Sequence, residues 1–141
     1  MVELKALREA LAARLETIPA HGGFRRPQVF PRMKSMITPP TIVVAYPEEV
    51  EYHHASQTES RWMMVVFGVA PGDLYDETAQ NMLDAWLADS GAHSVSAALE
   101  AVPQLGGLVE DVTVHRSEGY QVFVVGGQQY LGTEWKVEVL G

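Results

Sequence analysis

His53 and His54, with Glu49 and Glu51 just before them, are the residues of this chain whose types most resemble a metal site. Imidazole nitrogens and carboxylate oxygens are ordinary ligands for a divalent ion. The spacing argues against one. Adjacent residues on extended backbone point to opposite sides, so one shared ion needs a turn and a third ligand, which His115 or His21 would have to supply. The HExxH pattern, which places two imidazoles on one helical face, is absent. A polar loop whose histidines happen to adjoin is the simpler reading.

The other groups able to do chemistry are equally plain. Glu48-Glu49, Asp76-Glu77 and Glu110-Asp111 are neighbouring carboxylates. Each is better explained as a helix start or a wet loop than as an acid/base pair. Gly106-Gly107 and Gly126-Gly127 lack the spacing of a phosphate-binding loop. There is no GxSxG elbow, and with no cysteine there is neither a thiol nucleophile nor a thiolate site. The expectation is a protein without enzymatic activity, metal or cofactor.

What must be positioned is therefore a surface. From Leu131 to Val139 the chain alternates: Leu131, Thr133, Trp135, Val137 and Val139 fall on one face, and Gly132, Glu134, Lys136 and Glu138 on the other. That period of two marks a strand with one buried side. Upstream, Gly126-Gly127 and Glu118-Gly119 read as two tight turns, giving three adjacent antiparallel strands between Leu108 and Leu140. A sheet this amphipathic needs a lid. Leu4, Leu7, Leu11 and Leu15 supply one as a helix over 2–17, stopped by Pro19. A second helix begins near Asp73 as cap and runs to about Asp89, with Leu74, Ala79, Met82, Leu83, Trp86 and Leu87 as its stripe. Ser94 caps a short helix over 95–101. Residues 41–46 and 60–70 read as strands able to pair, the second apolar on both faces and hence central. Pro47 closes the first, and 47–58 form an acidic, polar loop. Trp62, Trp86 and Trp135 belong to the core. The fold class is α+β, with a mixed or antiparallel sheet of about five strands and two main helices on one face. One domain spans residues 1–141.

Charge is unevenly placed along the chain. The net charge is −8 over 141 residues, which argues against a general nucleic-acid binder. Between Glu16 and Glu48 there is no acidic residue, yet Arg25, Arg26, Arg32 and Lys34 lie there. This segment, residues 19–40, carries Pro27, Pro31, Pro39 and Pro40 and cannot be helical. Gln28 to Phe30 could form a short strand within it. A connection of this length is long for a compact domain. Its cations, with Phe24, Phe30, Met33 and Met36, read as a contact arm for a partner surface. No stretch is long and apolar enough to span a membrane.

Four phrases carry a family resemblance across nearly the whole chain. They are ALREALAARLETI, PPTIVVAYP, DETAQNMLDAWLADSGAHSVSAALEAVPQLGGLVEDVTV and GYQVFVVGGQQYLGTEWKVEVLG. In order and wording they resemble the tail terminator proteins of long-tailed bacteriophages, especially those infecting actinobacteria. The resemblance implies a structural virion protein: six copies in a ring at the head-proximal end of the tail, assembled in the host cytoplasm. Such a ring stops growth of the tail tube and docks to a head-side connector or stopper protein. DNA passes through without sequence-specific binding. Head-closure and tail-completion proteins of the phage neck share the layout. The alternative from another class is a small ligand- or metal-binding domain using the His53-His54 loop. A head-to-tail ring needs two different complementary patches on each subunit. The basic arm offers one through Phe24, Arg25, Arg26, Phe30, Arg32 and Lys34. Glu48, Glu49 and Glu51, or the face bearing Glu110, Asp111, Glu134 and Glu138, offer the other.

Overall fold

The computed structural model describes residues 2–52 and 60–141. The expected metal-like pair, His53 and His54, lies outside them. A six-stranded mixed sheet carries three helices on one face. The elements run α1 (Leu4–Leu15), β1 (Gln28–Phe30), β2 (Thr41–Glu51), β3 (Arg61–Val69), α2 (Glu77–Leu87), α3 (Val95–Glu100), β4 (Asp111–Ser117), β5 (Gln121–Val125) and β6 (Gln128–Leu140), with a 3-10 turn at Leu105–Gly107 before β4. The spatial order is β1-β2-β3-β6-β4, with β5 also paired to β6. Only β1 and β2 run parallel; the other pairs are antiparallel.

The alternation read in β6 is the one observed. Leu131, Thr133, Trp135, Val137 and Val139 are all buried under the helices. Leu7, Leu11 and Leu15 of α1, and Met82, Leu83 and Trp86 of α2, close over them. Gly68 of β3 makes this packing possible. A Cβ there would stand 3.0 Å from the Trp86 ring and 3.1 Å from that of Trp135. Two indoles occupy the space that a side chain would fill. Thr133, buried among these apolar groups, shares a 2.8 Å hydrogen bond with Ser117 Oγ, so its hydroxyl is satisfied.

The C-terminal stretch departs from the expected three adjacent strands. β4 pairs with the second half of β6 and β5 with the first half, both antiparallel. β4 and β5 are therefore two segments of one long hairpin arm. Glu118-Gly119-Tyr120 is a break in that arm, not a hairpin turn, and the single hairpin turn is Gly126-Gly127, with φ of 58° and 79°. Gly119 adopts positive φ as readily as Gly126 and Gly127 do, so local preference could not tell the break from the turn; the length of β6 decides it.

Two boundaries also shift. β2 does not stop at Pro47 but continues to Glu51, with register irregularities between Val44 and Tyr46 and between Pro47 and Glu49. Bulges of this kind accommodate a proline that cannot donate to the ladder. The cap of α2 is Asp76, whose carboxylate accepts from the Ala79 N–H at 3.1 Å. Asp73 instead accepts from the Tyr75 N–H at 3.0 Å, closing a local turn. That turn leaves Leu74 partly exposed and out of the buried stripe. Ser94 caps α3 as expected, accepting from the Ala97 N–H.

Candidate interaction surface

The face of the sheet turned away from the helices divides into two halves. Toward β1 it is apolar. Val43, Ala45 and Val65 are buried there, with Phe30 and Phe67 packed against them. Phe67 stacks on Phe123 of β5 at a centroid distance of 5.7 Å. Phe123 lies over Gly132, where a Cβ would meet its ring at 2.6 Å. Between the arm and the tip of the β5–β6 hairpin this half opens into a groove of about 210 Å³, walled by Met36, Ile37, Phe67, Val69, Phe123 and Val125.

The other half is a ladder of charges. Arg61 reaches Glu49 at 3.1 Å and Glu51 at 3.5 Å, and also pairs with Glu138. Lys136 reaches Glu48 at 2.6 Å and Glu134 at 3.7 Å. His115 Nε2 stands 3.4 Å from Glu138. The hydrogen bond from Arg61, with His115 adding to it, holds the Glu138 carboxyl below the usual carboxylate range. The same partners raise the two cations: Glu138 acts on Arg61 and Glu48 on Lys136.

Glu48, Glu49 and Glu51, read from the sequence as a free acidic patch in a loop, therefore sit on or beside β2 with cations of their own chain. The signal for this was present in the sequence. Arg61 and Lys136 lie on wet positions of strands that flank one another, but cross-strand register is not visible without the pairing.

The arm folds back on its own subunit. Arg25 donates to the carbonyls of Arg26, Thr38 and Pro40, and Arg26 to that of Glu16. These bonds fix the arm's path without neutralising its charge. Lys34 lies 5.1 Å from the centroid of the Phe30 ring, a cation–π geometry. Among the described residues, none of Arg25, Arg26, Arg32 and Lys34 forms an ion pair. Phe30 finds its place against Val43, Ala45 and Val65. Phe24, Met33 and Met36 do not, and Met36 is 76% exposed.

Sequence reasoning expected a strand at VFVV but not its exposure. Val122 and Val124 of β5 are 49% and 68% exposed, beyond the reach of the helices. An alternating valine run reads as core from sequence; only the extension of the hairpin past β3 strands it in water. Beside it, Tyr120 donates to Asp84, and that bond pushes the phenol up to about 12. Among the described residues, no three His, Asp or Glu side chains converge as a metal site would require. Among the described residues, no helix is long and apolar enough to cross a membrane.

No protein-family model matches this chain, and no curated protein matches it.

Proposed function

We propose that this protein is a structural subunit that assembles head to tail into a ring, in the manner of a phage tail terminator. The observation that carries the reading is the arm. It is folded on the sheet, its four cations have no carboxylate partner among the described residues, and Met33 and Met36 stand in water beside them. A body carrying −12 outside residues 17–47 supplies the opposite sign. Two unlike patches on one subunit are what a heterologous ring joint requires. The order and wording of the sequence segments lend this ring its station at the end of a tail tube, between tube protein and head-side connector. An acidic ring also suits passage of DNA, since like charge keeps phosphates from adhering.

Within that proposed joint the cations of the arm divide into two groups. Arg25 and Arg26 shape the arm, whereas Arg32 and Lys34 are the charges offered to a neighbour. The test is capping. Tail-tube protein is polymerised with and without the purified chain, and tube lengths are measured by electron microscopy. Short tubes closed at one end by a ring support the reading. Tubes of unchanged length with no density at either end overturn it.

A further inference from the structure

The sheet has two open edges, and they differ. One row of paired residues crosses it without interruption: Gln28, Thr41, Val69, Gly132, Gln121. Four strand spacings make that row roughly 19 Å wide. β1 and β5 therefore end the sheet at the same level, on opposite sides.

Each edge presents unused backbone. Gln28 donates to Pro40 in the parallel ladder with β2, so Val29, one residue on, turns its N–H and carbonyl outward. In β5 the two-residue turn makes Val125 and Gln128 a hydrogen-bonded pair, which turns the backbone of Val122 and Val124 outward by the same alternation. Natural sheets guard such edges with charge, proline or a covering side chain. β4 has a guard, because Glu100 of α3 accepts from the Val114 N–H at 3.0 Å. The run Gln121–Val125 contains no charge and no proline, and its two outward residues are the exposed valines.

The flanks are complementary. Around β1 lie Arg25, Arg26, Arg32 and Lys34. Along the β4–β5 edge lie Asp84, Glu100 and Glu118, each tied to it by a hydrogen bond, with Arg116 as the cation among them. We infer that the β5 edge of one copy pairs with the β1 edge of a second copy, continuing the sheet from subunit to subunit. Closing the circle removes both edges at once. This deepens the ring reading and rests on it for closure, but the joint itself can be tested separately.

The chain has no cysteine, so any disulfide in a variant is an engineered one. Val29 and Val124 belong to the same side of the continued sheet. The variant Val29→Cys/Val124→Cys is oxidised mildly and run on a non-reducing gel, beside each single variant. All three are first shown to unfold cooperatively like the parent. The expected result is a ladder of covalent multimers from the double variant and none from the singles. Adding Val122→Lys to the double variant should lower the ladder yield at least several-fold. A strong dimer from Val124→Cys alone would mean a two-fold β5–β5 joint and overturn the proposal, and so would the absence of any ladder. Tube capping by the parent chain separates the two readings. Capping without a ladder leaves the terminator and removes this joint. A ladder without capping leaves the joint and removes the terminator.

Discussion

On the helix side of the sheet, Trp86, Trp135, Leu83 and Val137 are closed to water, and a glycine at position 68 is needed for the rings to fit. On the other side, the arm covers part of an apolar surface, a ladder of ion pairs covers the rest, and Met36 is left uncovered. The first face has one solution, reached inside the subunit. The second is finished only as far as a folded monomer requires. Close packing yields rigidity and a unique structure, whereas a partly covered surface with unpaired charge is what a partner can use. The contrast places stability on one face and, on the proposed reading, leaves the other to assembly.

Substitutions should separate the two. Trp135→Ala removes one of the two buried indoles of the closed face and should cost about 3–5 kcal/mol in urea unfolding. Gly68→Ala should cost about 1–3 kcal/mol by overpacking the same rings. If Gly68→Ala is neutral, the helix face is looser than its geometry implies. On the open face, acid should act through Glu138. Its carboxyl is held low in the folded state, so its contribution is complete above the unfolded value of about 4.3 and is lost as pH falls below that. Unfolding at stepped pH should therefore show a shallower loss of stability between about pH 5 and 3 for Glu138→Gln than for the parent. Smallest in stability is the arm. Arg32→Glu/Lys34→Glu should stay within about 0.5 kcal/mol of the parent, yet lose ring assembly by light scattering or tube capping. Intact rings in that variant would remove the arm from the joint.

Much of the closed face was legible because hydrophobic period survives any arrangement of the strands. The alternation of β6, the leucine stripe of α1 and the cap at Ser94 are local facts. The open face was less legible because it depends on register. Glu48, Glu49 and Glu51 look like a free acidic run until Arg61 and Lys136 are brought across from β3 and β6. Glu118-Gly119 looks like a hairpin turn until β6 proves long enough to span both β4 and β5. Pro47 looks like a strand end until bulges absorb it. The exposed valines of β5 carry the composition of a core strand; their exposure follows from where the hairpin lies, not from their type.

β6 is the neighbour of β3, β4 and β5, yet it follows all of them along the chain. While the protein is being made, β3 has only β2 beside it, and β4 and β5 have no partner, until β6 has left the ribosome. At about 5–20 residues per second, the wait from β3 to β6 lasts several seconds. Through that interval the apolar strand carrying Trp62, Met64 and Val66 is half-covered, so the second half of synthesis is the stage at which this chain most needs to be kept from its neighbours.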